Sequence, residues 1–280
     1  MNDASISHRS AIAEFRRLHH EGCFVLPNPW DIGTALYLHQ LGFRALASTS
    51  AGYAFSRGKP DGGVARDEML AHIQEIVAAT PLPVNADFQG GFADEPEDVA
   101  ANVSRCVATG AAGLSIEDST GRSVPALYDE KLAIERIAAA RGAIDVSGTA
   151  VILTGRCEAF LVQHPDPLQT SLKRLAAYAE AGADCLYAPG LTEPDQISAI
   201  VRAVAPKPVN VLVSGFNSQL SLAQLADRGV RRISVGSGLA LASWGAFIRA
   251  AREIAASGTF QTLAAGARSA ELNGLFREKA

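Results

Sequence analysis

The chain has 280 residues, of which 48% are hydrophobic, 19% charged and only 6% aromatic, with a formal net charge of −4. So apolar a sequence can bury enough surface to offset its ordering entropy, which excludes disorder for most of the chain, and its mild acidity excludes nucleic acid or an anionic membrane as the main partner. The length allows either about two domains or one α/β barrel of roughly 250 residues.

Met1 to His20 is polar and charged, with no apolar core of a secretory signal. Eight short apolar runs follow: Cys23–Pro27, Ala45–Ser48, Val84–Asp87, Gly113–Glu117, Val151–Thr154, Cys185–Tyr187, Val209–Val213 and Ile233–Gly236. Their near-continuous apolar character predicts strands of a parallel sheet buried on both faces. Helical periodicity fills the intervals. Glu97–Ala108 opens after Asp94-Glu95-Pro96, acids and proline that suit a first helical turn. Asp129–Ala143 and Leu168–Ala181 read alike, and the second stops at Gly182, a residue free to take positive φ. Gly42, Gly110, Gly182 and Gly229 each stand just before the next strand. Helix, glycine stop and buried strand, repeated, predict an α/β fold of the (β/α)8 barrel type. It forms one domain over residues 1–280, with about 258–280 as a C-terminal helical tail. A doubly wound sheet is the alternative. The first strand, however, runs into Pro27-Asn28-Pro29-Trp30-Asp31, without the glycine fingerprint of a nucleotide-binding turn.

No apolar run approaches the roughly 20 residues needed to span a bilayer. Cys23, Cys106, Cys157 and Cys185 form neither a CxxC pair nor a zinc spacing, and read as reduced thiols of a cytoplasmic protein.

In a barrel the chemistry sits at the C-terminal strand ends. In chain order these ends offer Asn28 and Asp31; Ser48, Thr49 and Ser50; Asn85 and Asp87; Glu117 and Asp118; Thr154, Arg156 and Glu158; Tyr187; and Ser214. Asn210 lies within the seventh run, and Ser237 sits between glycines after the eighth. Carboxylates on neighbouring strands repel unless a cation or a proton intervenes, and oxygen ligands from separate strand ends suit Mg²⁺. Arg156 is a fixed cation that can hold a carboxylate or phosphoryl group. Blander roles compete: Asp118 and Glu158 as helix N-caps, and Arg156 as a structural partner of Glu117 or Glu158. Lys59, Lys131, Lys173, Lys207 and Lys279 all miss the strand ends, which argues against Schiff-base chemistry. No HxH follows the first strand, and of the histidines His164 alone falls in a loop on the active face. A zinc hydrolase or a histidine triad therefore lacks parts.

Four segments resemble the isocitrate lyase/phosphoenolpyruvate mutase superfamily, in order and spacing over about residues 22–245. They are Thr49-Ser50-Ala51-Gly52 through Lys59-Pro60-Asp61-Gly62, Asn85-Ala86-Asp87 with Gly91-Phe92, Ser115-Ile116-Glu117-Asp118, and Arg156-Cys157-Glu158-Ala159-Phe160. The resemblance implies a barrel whose eighth helix is exchanged between the subunits of a homodimer or homotetramer. It implies Mg²⁺ at the mouth and a small-molecule oxo-acid substrate. It implies that Asp87 and Glu117 hold the metal, directly or through water, and that Ser48, Thr49, Ser50 and Arg156 contact the substrate. Asn85 and Asn210 join the candidate substrate-binding set. Asp61, Tyr53 and Arg156 are the candidate catalytic residues.

Three departures stand out. Asn85 replaces the first of two aspartates in the strand-3 motif. The loop Asp118-Ser119-Thr120-Gly121-Arg122-Ser123 lacks the cysteine of the KKCGH loop and the lysine of the mutases. Ala188-Pro189 stands where the lyases carry a glutamate. The expected function is a Mg²⁺-dependent lyase that breaks a carbon–carbon bond in a small 2-hydroxy or 2-oxo carboxylic acid through an enolate-like intermediate. The alternatives are phosphorus–carbon chemistry, for which Arg122 is the one cation in that loop, and an oxo-acid-binding barrel without turnover.

Overall fold

The computed structural model describes residues 3–215 and 219–277. The chain enters through α1 (Asp3–His20) and then alternates strand and helix. β1 (Phe24–Leu26) leads to α2 (Ile32–Gln40), and β2 (Leu46–Ala47) to α3 (Ser50–Ser56) and α4 (Arg66–Ala79). β3 (Val84–Asp87) precedes α5 (Pro96–Ala108), β4 (Gly113–Glu117) precedes α6 (Glu130–Val146), and β5 (Ile152–Arg156) precedes α7 (Pro167–Glu180). β6 (Cys185–Tyr187), β7 (Val209–Leu212) and β8 (Arg232–Ser234) are followed by α8 (Pro194–Val204), α9 (Leu222–Ala226) and α10 (Gly238–Ser257). A 3-10 turn (Gln261–Ala265) and α11 (Ser269–Arg277) complete the described tail.

Several helices begin where a side chain supplies a cap. Asp31 and Thr34 form a capping box on α2, Asp129 caps α6, and Asp166 caps α7 with proline in its first turn. The eight strands form one parallel sheet in the order β1-β8-β7-β6-β5-β4-β3-β2. The ring closes between its outer members. The Ala47 N–H donates to the Pro27 carbonyl at 3.0 Å. Asn28 Nδ2 donates to the Ser48 carbonyl at 2.9 Å. The fold is the expected (β/α)8 barrel. A helix not foreseen, α1, packs across the N-terminal end of the sheet, with Phe15 fully buried. Gly113 permits that packing, because a Cβ there would stand 2.6 Å from Phe15 Cε1.

One expectation needs correction. The strands are not apolar on both faces. Their outward side chains, such as Ala86, Leu114, Ile116, Leu153 and Ile233, join the buried core beneath the helices. Alternate residues point into the bore, and these include Asn85, Ser115, Thr154, Asn210 and Arg232. The Arg232 to Thr154 hydrogen bond, at 3.0 Å, joins β8 to β5 across two intervening strands and so spans the barrel interior. Short strands explain the misreading. In a run of three to five residues, one or two inward polar side chains scarcely disturb an apolar average.

Candidate active site

The site grows from the ends of β2, β3, β4 and β5. The turn after β2 sends three hydroxyls in three directions. Ser48 Oγ accepts from the Asp87 N–H at 2.9 Å. Thr49 Oγ1 caps α3 by accepting from the Gly52 N–H at 3.1 Å. Ser50 donates its N–H and its hydroxyl to Asp87 Oδ2, each at 2.8 Å. Asp87 is thus oriented by its neighbouring strand before any ligand arrives.

Arg156, the last residue of β5, is the centre of the cluster. Its Nη1 lies 3.5 Å from Asp87 Oδ1 and 3.2 Å from Glu117 Oε2, while its Nε donates to Glu158 Oε1. The register sets this up, because Glu117 and Arg156 are direct partners in the β4–β5 ladder. The Arg156 guanidinium also faces the Tyr187 ring at 5.2 Å. Three carboxylates therefore share one cation. Burial, with Glu158, Asp87 and Asp61 nearby, lifts the Glu117 carboxyl well above the usual carboxylate range despite Arg156. Glu158 is raised too, by burial first. Such an excess of buried negative charge calls for a proton or a second cation.

Above this cluster opens a cavity of about 460 Å³, whose walls include Ser50, Asp61, Glu117, Arg156, Asp94 and Tyr128. Asp61 sits at its rim, where desolvation and then the Asp87 charge push its carboxyl upward. The opposite wall is the loop after β3, in which Gln89 and Phe92 hold positive φ angles of 49° and 56°. Arg136, buried in α6, fixes that loop. It donates to the Gly90 and Ala93 carbonyls, and to the Asp94 carbonyl at 2.7 Å. Tyr128 OH donates to the Asp94 carboxylate. A smaller cavity of about 50 Å³ continues into the bore past Asp87 and Arg156, and Ser48, Asn85, Asn210 and Arg232 line it.

The expected residues therefore divide. Ser50, Asp61, Glu117 and Arg156 line the outer cavity. Ser48, Asn85, Asp87 and Asn210, with Arg156 again, line the inner one. Thr49 and Tyr53 line neither; Tyr53 stacks on His72 with ring centroids 3.7 Å apart. Asp118 and Glu158 are not N-caps. Asp118, 2% exposed, accepts from Arg174 Nη1 at 3.0 Å, Tyr178 OH at 2.7 Å and the Glu158 N–H at 2.8 Å. It is the anchor that holds the β5 end in place. Sequence reasoning missed Gln89, Asp94, Tyr128 and Arg136, since loop length and helix face give no sign of convergence. It also missed Arg232, for which the alternation Arg232-Ile233-Ser234 was the available signal.

A group of three or more His, Cys, Asp or Glu side chains placed to hold a metal is absent among the described residues. Two carboxylates suffice for Mg²⁺, which keeps most of its waters. The oxygens of Asp87 and Glu117 converge on one point, now faced by Arg156 Nη1, and the donor chemistry fits that ion.

The family model described as phosphoenolpyruvate phosphomutase matches residues 15–255. A protein of Mycobacterium tuberculosis strain H37Rv is 37% identical over 228 residues, which cover 80% of this chain and 81% of that one. The 2-methylisocitrate lyase of Salmonella typhimurium is 32% identical over 168 residues, 57% of this chain and 55% of the enzyme. Among solved structures, a candidate lyase/mutase from Burkholderia cenocepacia J2315 superposes with a TM-score of 0.94 at 47% identity. That match covers 97% of this chain and 98% of the other.

Proposed function

The chain belongs to the phosphoenolpyruvate phosphomutase family, within the isocitrate lyase/phosphoenolpyruvate mutase superfamily, and on that premise we propose that it is a Mg²⁺-dependent carbon–carbon lyase acting on a small 2-hydroxy or 2-oxo carboxylic acid. One observation carries this reading: Asp87, Glu117 and Arg156 converge from three adjacent strands where the open cavity meets the inner one. Neither cavity is lined by a lysine, so nothing in the site offers a Schiff base.

Asp87 and Glu117 would hold Mg²⁺, which when bound supplies Lewis acidity to the oxygens of a 2-oxy acid. Arg156 faces the oxyanion end of the substrate. A base at the rim, for which Asp61 is best placed, takes the proton of a 2-hydroxyl. The hydroxyl becomes a carbonyl as the carbon–carbon bond breaks. The electron pair leaves on the departing fragment as an enolate-like species, which is then protonated. Ser50 already spends both donors on Asp87, so its part is to aim that carboxylate.

The test is Asp87→Ala in an assay coupled to pyruvate or glyoxylate release across a panel of 2-hydroxy and 2-oxo acids with Mg²⁺. Activity in the parent chain and its loss in the variant are expected; full activity without that carboxylate would remove the metal role. Phosphorus–carbon chemistry is the second reading, motivated by the family description. Its one loop cation, Arg122, is turned to Asp94 at 3.4 Å. Phosphorus NMR on phosphonopyruvate decides it, and an unchanged spectrum rejects it. Ligand-induced thermal stabilisation without turnover on either panel would mark a binding barrel.

This reading includes a homodimer or homotetramer in which α10 packs on a neighbouring subunit, in the cytoplasm. What supports the assembly is the surface of α10, where Leu239, Leu241, Trp244, Phe247, Ile248 and Ile254 are exposed and Ala240 alone is buried. No helix among the described residues is long and apolar enough to cross a membrane.

A further inference from the structure

The bore contains a cation that the chemistry at the mouth does not use. Arg232 is 2% exposed. Its Nε donates to Asn210 Oδ1 at 2.9 Å and its Nη2 to Thr154 Oγ1 at 3.0 Å. Its Nη1 lies 3.2 Å from His19 Nε2. His19 Nδ1 is 2.7 Å from the Phe15 carbonyl, so that nitrogen carries the proton and Nε2 is a neutral acceptor. All three partners are uncharged, and Arg232 has no carboxylate partner among the described residues. A guanidinium buried without a counter-charge is costly.

Beside it lies the inner cavity of about 50 Å³, room for one small anion or a pair of waters. Arg232 and Arg156 both line it, as do Asn85, Ser115 and Ser234. Asn85 is 4% exposed, and its Nδ2, with two hydrogens to give, reaches only the Ala86 carbonyl at 3.3 Å. Asp87 also lines the cavity, but Ser50 and Arg156 face its two oxygens.

We propose that this cavity is an anion site that takes one small monovalent anion, a halide or the carboxylate of a small acid, against Arg232. The guest neutralises Arg232 and accepts from the N–H groups of its guanidinium that Asn210, Thr154 and His19 leave over.

Thermal unfolding of the full chain is compared in sodium chloride, bromide and formate against sodium gluconate at constant ionic strength, without divalent metal. The small anions should raise the midpoint saturably by about 3 °C near tenfold excess over Kd, while gluconate, too large to enter, should not. Crystals grown in bromide should show an anomalous peak beside Arg232. Asn210→Asp puts a carboxylate on Arg232 from within, so its midpoint should rise in gluconate and lose its response to bromide. Arg232→Met should lose the response as well. If that variant does not fold, Asn210→Asp still carries the test. Bromide that raises KM for an oxo-acid substrate identifies the guest as a substrate carboxylate, and an unchanged KM identifies a free ion. Both uphold the site. Equal midpoints in bromide and gluconate, or water alone beside Arg232, would overturn it.

Discussion

Ser50 and Asp87 are joined by two hydrogen bonds to a single oxygen, one from the Ser50 N–H and one from its hydroxyl, each 2.8 Å long. The other Asp87 oxygen is thereby turned toward Arg156. Ser50→Ala removes one donor and frees the carboxylate to rotate. Mg²⁺ affinity should fall about 10-fold or more, at a stability cost of about 1 kcal/mol. Isothermal titration with Mg²⁺ measures the first and urea unfolding the second. Unaltered affinity would detach Ser50 from the metal site.

Asp118 is predicted to matter for folding before it matters for catalysis. Asp118→Asn leaves Arg174 buried without its counter-charge, a loss of about 3–5 kcal/mol. Tyr178→Phe removes a single hydrogen bond, and about 1–2 kcal/mol is expected. Denaturant midpoints at constant slope rank the two. Equal costs would show that Arg174 finds another partner.

Stability should fall in mild acid through two buried histidines. Burial first, then Arg232, pushes the His19 imidazole down to about 3, and burial pushes His72 down to about 4. Both are neutral in the folded chain, whereas in the unfolded chain each takes a proton near pH 6.5. The unfolded state thus binds more protons between about pH 6.5 and 4, and stability drops as pH falls through that window. The two histidines by themselves contribute a slope that approaches about 2.7 kcal/mol per pH unit, and the raised Glu117 and Glu158 carboxyls, which keep their protons longer in the folded chain, oppose part of it. His19→Gln should remove about half of the histidine contribution. A variant whose acid limb superimposes on the parent's would exclude His19 as the source.

The apolar face of α10 predicts an assembly that fails on substitution. Trp244 and Phe247 meet edge to face at 5.4 Å, and Phe247 is 61% exposed. Trp244→Ser with Phe247→Ser should convert the oligomer to monomer in light scattering while circular dichroism keeps the barrel signal. An unaltered mass would place the contact elsewhere.

Much of this molecule was legible before folding. The eight strands fall within a residue or two of the apolar runs, and α5 begins at the Pro96 that marked its first turn. The acids at the ends of β3 and β4 and the arginine ending β5 do meet. What was not legible is which hydroxyl serves which neighbour. Ser48, Thr49 and Ser50 are alike in sequence, yet one supports the Asp87 backbone, one caps a helix and one aims the Asp87 carboxylate. The strand's twist and the start of α3 assign those parts.

The sequence by itself determined the alternation of strand and helix, the parallel sheet and the strand ends that carry charge, because periodicity and caps are local properties written within a few residues. The tertiary structure alone decided that Arg156 would be shared among three carboxylates, that Asp118 would anchor rather than react, and that Arg232 would stand in the bore with neutral partners. Those outcomes depend on register across strands far apart in the chain. A closed barrel fixes that register only when the last strand meets the first.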